Sequence, residues 1–220
     1  MNIQQLLHQY FYPFYIRLWV ERFSKVKEGQ IVIDAGAYLG GFTLYAAKKV
    51  GKKGKVIAFE PDPKNLEILK ESVQKSNLKN IVLVNKALGD TEKKVEMESA
   101  NHYSSVVIKT SKRPTFEVQQ TTLDNEMKNL GISKAHFIKM NIEGAEVKAV
   151  KGALQTLTNV EHIAISCHTV NGKSTAVQIE PLLKRSGFKT RVLKRRKVII
   201  DFGHIDIYGF RYLRTPGVQS

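Results

Sequence analysis

From Gln30 onward the chain alternates short, wholly apolar runs with amphipathic stretches, and few folds accept that rhythm. Ile31-Val32-Ile33, Val56-Ile57-Ala58-Phe59, Ile81-Val82-Leu83-Val84, His136-Phe137-Ile138 and His162-Ile163-Ala164-Ile165 are apolar on both faces. Such strands belong inside a parallel sheet covered by helices on either side. Residues 41–50, 63–76, 144–158 and about 174–186 have helical periodicity, and Asn77 and Gly187 are placed to end two of these helices. After Gly187 the pattern changes. Arg191 to Ile200 and Ile205 to Leu213 read as strands joined by Asp201-Phe202-Gly203-His204, too short a link for a parallel crossover. An antiparallel hairpin is therefore expected at one end of the sheet.

Between the third and fourth strands, residues 93–121 break the rhythm. Val95-Glu96-Met97-Glu98, Val106-Val107-Ile108 and Phe116-Glu117-Val118 alternate like half-buried strands, so a small β segment is expected as an insertion. No repeat, low-complexity tract or Pro/Gly-rich linker divides the chain, which reads as one domain over 30–220 preceded by an extension over 1–29. Seven of the nineteen aromatic residues fall between Tyr10 and Phe23, among them Phe11, Phe14, Tyr15 and Trp19. Their near-helical spacing leaves three readings open: a helix packed on the domain, a substrate lid, or an interfacial or dimer surface. The first sixteen residues carry no charge, but Gln4, Gln5, His8, Gln9 and Pro13 interrupt them, so neither a signal peptide nor a spanning helix is expected. The single cysteine, Cys167, forms no internal disulfide; it suits a reducing, cytoplasmic setting and a small core position.

The strongest chemical signal opens the first βα unit. Asp34-Ala35-Gly36-Ala37-Tyr38-Leu39-Gly40-Gly41 follows a buried strand and precedes a helix, a context in which glycines let backbone amides approach a cofactor at the helix N-terminus. Glu60 ends the second strand 26 residues after Asp34, where an acidic side chain accepts from both hydroxyls of a ribose. A dinucleotide fingerprint would carry glycine two residues after Gly36, but Tyr38 stands there, so a phosphate-free nucleoside cofactor fits better than a pyrophosphate. Asp34 points the same way, since it can accept from a cationic amino-acid end.

Taken together, Val32-Ile33-Asp34-Ala35-Gly36-Ala37, Ala58-Phe59-Glu60-Pro61, Ala87-Leu88-Gly89-Asp90, Thr121-Thr122-Leu123-Asp124 and the run from Ile138 to Glu146 resemble the FkbM family of S-adenosylmethionine-dependent methyltransferases, from about Gln30 to His168. The resemblance implies a single-domain, Rossmann-like class I methyltransferase fold of the α/β class. Its seven-stranded, mostly parallel sheet would run in the order 3-2-1-4-5-7-6, with the C-terminal hairpin supplying the antiparallel strand. It further implies that Asp34, Gly36 and Gly40 line the methionine part of S-adenosyl-L-methionine, Glu60 the ribose, and Ala87 and Leu88 the adenine edge, with Ala37, Tyr38 and Pro61 also among the cofactor-binding residues.

One position departs from the family pattern. Where Lys-x-Asp-x-Glu-Gly is usual, this chain has Asn141, and an amide is neither a general base nor a good hard-cation ligand, so a metal-free reaction is expected with Asn141 orienting substrate. Glu143 remains, read either as a group acting on the acceptor or as an anion at a helix N-terminus. His168 follows the fifth strand, and its ordinary pKa makes it the candidate general base for deprotonating a hydroxyl. His102, Tyr103 and Ser104 in the insertion are candidates to cap the acceptor pocket.

Charge adds a further possibility. Lys and Arg number 35 against 20 Asp and Glu, a net charge of +15. Lys184, Arg185, Lys189, Arg191, Lys194, Arg195, Arg196 and Lys197 occupy fourteen residues without an acid, which would put cations on both sides of a strand. RNA, an anionic lipid surface and simple solvation all remain open as explanations. The leading expectation is methyl transfer to a hydroxyl of a small molecule or glycan, assisted by Glu143 and His168. An RNA methyltransferase on the same scaffold and a cofactor-binding module without turnover are the alternatives, and the absence of Asp/Asn-Pro-Pro-Tyr after the fourth strand argues against methylation of a base's exocyclic amine.

Overall fold

The computed structural model describes residues 16–98, 114–194 and 205–211. In chain order, β1 (Ile31–Ala35) is followed by α1 (Gly41–Val50), β2 (Lys55–Phe59), α2 (Pro63–Ser76) and β3 (Ile81–Val84). Three shorter strands come next, β4 (Ala87–Leu88), β5 (Lys93–Glu98) and β6 (Thr115–Thr121), then α3 (Leu123–Asn129) and β7 (Phe137–Met140). Two short helices, α4 (Glu146–Lys151) and α5 (Leu154–Thr158), lead to β8 (His162–Cys167). The small strands β9 (Thr169–Val170) and β10 (Lys173–Ser174), the helix α6 (Ala176–Arg185), and the strands β11 (Lys189–Lys194) and β12 (Ile205–Phe210) complete the described chain.

The central sheet has the order β3-β2-β1-β7-β8-β12-β11. Counting only its own strands this is 3-2-1-4-5-7-6, and β12 alone runs antiparallel to both neighbours. Alternation along the strands builds two cores. Ile33, Ile57, Ile138, Ile163, Ile165 and Ile207 face α3 to α6. Val32, Val56, Phe137, Ala164 and Tyr208 face α1 and a segment running from Ile16 to Val26, while Ala58 meets Leu66 and Leu69 of α2. Each large aliphatic side chain buried this way contributes about 1.5–3 kcal/mol.

Local chemistry ends the elements where the sequence suggested. Asp62 caps α2 by accepting from Lys64 N at 2.8 Å, and Asn77 closes it at φ 57°. At α6, Gly187 takes φ 85° while Phe188 N reaches back to Leu183 O.

Three expectations are corrected. The single helix over 144–158 is two, because the chain breaks at Gly152, where a Cβ would strike the Gly89 carbonyl oxygen. Asp124 from α3 then serves the second helix as its cap, accepting from Gln155 N at 3.0 Å and Thr156 N at 2.7 Å. The inserted β segment is a three-stranded sheet in the order β4-β6-β5, so Ala87 and Leu88 belong to it; Val106 to Ile108 lie outside the described residues. Finally, the helix near residue 174 is preceded by the β9–β10 hairpin, turned by Asn171 and Gly172 at φ 49° and 75°. Of the aromatic extension, Ile16–Val20 forms one π-helical turn with Ile16 and Val20 buried, and Tyr10 to Tyr15 lie outside the described residues. No described helix is long and apolar enough to cross a membrane.

Candidate functional site

Parallel strands deliver their carboxyl ends to one edge, so the residues following β1, β2, β7 and β8 gather there. After β1 the chain turns through Gly36 at φ 81° and Gly40 at φ 91°, with Tyr38 between them at φ 53°, a left-handed conformation that costs a residue with a side chain. The turn is held from β2: Gly36 N and Ala37 N both donate to Phe59 O, and Tyr38 N donates to Glu60 Oε2 at 2.7 Å. Gly36 is required by a close approach of backbone, but to the protein itself, since a Cβ there would collide with the Asn141 carbonyl oxygen. That contact joins the loops after β1 and β7, a bond tightened by Asn141 N donating to Ala35 O at 3.0 Å.

Glu60 is the centre of the first half of the site. Its carboxylate is 5% exposed and accepts from Tyr38 N, from Asp62 N at 3.1 Å and from Asn65 Nδ2 at 3.4 Å. Burial pushes its pKa up to about 6, an effect only partly offset by these donors. Asn85, leaving β3, donates to the carbonyls of Glu60 and Pro61 at 2.9 and 3.1 Å and so fixes this corner. Ala87 and Leu88 follow two residues later, both buried, with their backbones paired to β6.

Asp34 has other partners than the cationic amino-acid end expected for it. It is fully buried, with Lys139 Nζ at 2.9 Å from Oδ1 and Thr43 Oγ1 donating to Oδ2 at 2.6 Å. Lys139 also donates to Gly36 O at 2.6 Å. Removing both charges from water is costly, and this third contact helps to offset it while clamping the glycine turn. A lysine in an otherwise apolar strand was the signal for this pair.

The second half of the site is a trio. Glu143, at φ 52° in the turn after β7, places Oε2 3.3 Å from His168 Nε2. Glu146, the first residue of α4, places Oε1 2.7 Å from His168 Nδ1. Its two oxygens also accept from Gly144 N at 3.0 Å and Thr175 Oγ1 at 3.2 Å. Burial would pull the His168 pKa down, but the two carboxylates prevail and push it up to about 10. Flanked by two carboxylates, His168 is set to hold a proton rather than to take one, which tells against the general-base role expected for it. Glu143 is the accessible member, its side chain 21% exposed against 6% for His168 and none for Glu146. Sequence reasoning assigned no role to Glu146, although the Glu-x-x-Glu spacing places two carboxylates on adjoining turns.

Elsewhere, Cys167 is buried in the core as expected, and burial pushes its thiol pKa up. His102, Tyr103, Ser104, Arg195, Arg196 and Lys197 lie outside the described residues. Of the other cations in that basic run, Lys184 pairs with Glu180 at 2.9 Å, Arg185 is exposed, and Arg191 and Lys194 occupy opposite faces of β11.

Comparison with known proteins places this edge in context. The profile of the methyltransferase FkbM domain matches residues 34–190. A probable cobalt-precorrin-6B C(15)-methyltransferase (decarboxylating) of Sulfurisphaera tokodaii is 29% identical over 139 residues, covering 62% of this chain and 65% of that protein. Hexuronic acid methyltransferase AglP of Haloferax volcanii is 21% identical over 180 residues, 81% of this chain and 70% of that one. Among solved structures, methyltransferase FkbM from Methylobacillus flagellatus superimposes with a TM-score of 0.62 at 18% identity, over 86% of this chain and 45% of the other. The chain thus spans just under two thirds of the first of these relatives and under half of the solved FkbM structure.

Proposed function

Because the chain belongs to the FkbM family of methyltransferases, we propose that it transfers the methyl group of S-adenosyl-L-methionine to a hydroxyl oxygen of a small molecule or glycan. The observation that carries this reading is the accessible Glu143 carboxylate, held beside an imidazolium at the sheet edge that also bears Glu60.

The cofactor fits the residues present. Glu60 is a carboxylate whose charge burial disfavours, and the two hydroxyls of a ribose would add donors that stabilise it, beside Ala37, Tyr38 and Pro61. When bound, the cofactor supplies a methyl group on a sulfonium, a strong electrophile that needs no further activation. What remains for the protein is to manage the acceptor. Methyl transfer to R–OH would exchange the O–H bond for an O–C bond and return the cofactor as a neutral thioether, so the hydroxyl proton is what this chain's residues have to take up. Glu143 accepts the hydrogen bond from the acceptor hydroxyl and takes its proton, later releasing it to water. His168, donating to Glu143, keeps that carboxylate aimed, and Glu146 keeps His168 charged and in place. The relative acting on a hexuronic acid supports a polyhydroxylated acceptor.

The test is to incubate the protein with methyl-labelled cofactor and either a small-metabolite and glycan extract or total RNA. Label is expected in the former. Glu143→Gln should lower turnover by about 100-fold or more while leaving cofactor affinity in place. Label entering RNA instead would overturn the choice of acceptor, and label in neither fraction, with Glu60-dependent cofactor binding intact, would favour a module without turnover.

A further inference from the structure

The strongest feature outside the catalytic edge is on the face of the sheet covered by α1. There the segment from Ile16 to Val26 lies against β8 and β12, burying Ile16, Val20 and Val26 while presenting Leu18 and Phe23 to solvent, 40% and 39% exposed. Ile68, Leu154, Val177 and Val192 are exposed as much or more, so what distinguishes Leu18 and Phe23 is the charge around them. Cations surround them. Arg17, Arg22, Lys25 and Lys27 are all exposed on the same short segment. From β11, Arg191 reaches to 5.4 Å from the centre of the Phe23 ring, and Arg22 lies 5.9 Å from it. Of the two acids here, Glu21 is buried and committed, accepting from Val26 N at 2.9 Å and the Tyr45 hydroxyl at 2.8 Å, while Glu28, beside Lys27, is exposed and offsets one of these charges. Through Tyr45 the surface continues to Lys49 on α1, 5.7 Å from that ring.

The geometry points to this face as a docking surface for an anionic lipid bilayer, with Leu18 and Phe23 entering the headgroup region and the surrounding arginines and lysines held at the phosphates. Aliphatic and aromatic side chains ringed by Lys and Arg form the interfacial pattern, in which apolar burial and charge attraction add. A single-stranded nucleic acid matches the charge but not the rest. Leu18, an aliphatic side chain, offers it nothing to stack on. The chain leading into this segment is uncharged over its first sixteen residues and rich in aromatics, a composition that also suits the interface.

Trp19, the sole tryptophan, lies on this segment 5.7 Å from Arg22 and makes the proposal directly testable. The whole protein is mixed with vesicles of phosphatidylcholine alone or of phosphatidylcholine with phosphatidylglycerol, then followed by Trp19 emission and by co-sedimentation. The expected result is a blue shift and pelleting with the anionic vesicles only, both reversed by added salt. Leu18→Ser combined with Phe23→Ser should weaken vesicle binding by about tenfold or more, and Arg22→Gln with Lys25→Gln by a similar factor. An unchanged melting temperature shows that each variant is folded; a variant that melts early is replaced by the single substitution Leu18→Ser, for which a weaker loss of the same sign is expected. Vesicle binding indifferent to Leu18 and Phe23 would overturn the proposal, as would tighter binding to an oligouridylate than to anionic vesicles at equal salt.

Discussion

At the scale of single residues, the site works by setting two protonation states away from their ordinary values in the same direction but for opposite reasons. Glu60 is raised to about 6 because burial disfavours its charge. A ribose donating two hydrogen bonds favours the ionised form, so cofactor affinity should fall as pH drops through 6. Glu60→Gln should weaken binding by about 1.5–3 kcal/mol and flatten that pH dependence, as read by calorimetry. His168 is raised to about 10 because Glu143 and Glu146 outweigh its burial. Its folded pKa lies above the unfolded value near 6.5, so the trio's stabilisation is complete below about pH 6.5 and is lost as pH rises through 10. Magnetic resonance of the His168 ring should therefore show no titration between about pH 6 and 8. Glu146→Gln removes one of the two charges and should bring a titration step down toward neutrality; a wild-type step near 6.5 would contradict the trio.

At the scale of elements, the candidate site at the sheet edge depends on segments that are not where a sequence reader looks for chemistry. The break between α4 and α5 lets the chain pack Gly152 against Gly89, and Asp124 repairs the break by capping a helix thirty-odd residues away. Asp124→Ala should cost about 1–2 kcal/mol in denaturant unfolding, the worth of a good cap, without altering the His168 titration. The β9–β10 hairpin has a comparable place, since Thr175, just beyond it, donates its backbone N–H to His168 O at 2.8 Å and its hydroxyl to Glu146. Its Asn171-Gly172 turn was legible as a hairpin signal between Thr169-Val170 and Lys173-Ser174, yet strands of two residues offer too little periodicity to register.

At the scale of the molecule, the candidate site lies at the carboxyl edge of the sheet and Leu18 and Phe23 lie on the face covered by α1, so cofactor binding and surface contacts should be separable. S-adenosylhomocysteine at about 100 times its dissociation constant should stabilise the fold by about 2.7 kcal/mol, a rise of roughly 5–11 °C in melting temperature. Glu60→Gln should diminish that rise at the same ligand concentration, whereas Leu18→Ser with Phe23→Ser should leave it unchanged.

The sequence by itself determined the α/β rhythm, the ends of α2 and α6, the antiparallel last strand and the positions of Asp34 and Glu60 at strand ends. These follow from apolar periodicity and from capping residues that act within a few positions of themselves. Only the tertiary structure decided what those groups meet. Asp34 finds Lys139 105 residues away, Gly36 is held by the backbone of Asn141, and Ala87 with Leu88 joins an inserted sheet. His168 illustrates the difference most clearly: its residue type suggests a base, but its place between two carboxylates, one from the turn after β7 and one from α4, favours the protonated imidazolium. Charge state depends on distances of a few ångströms between groups far apart in the chain, and those distances exist only once the sheet has brought its carboxyl ends together.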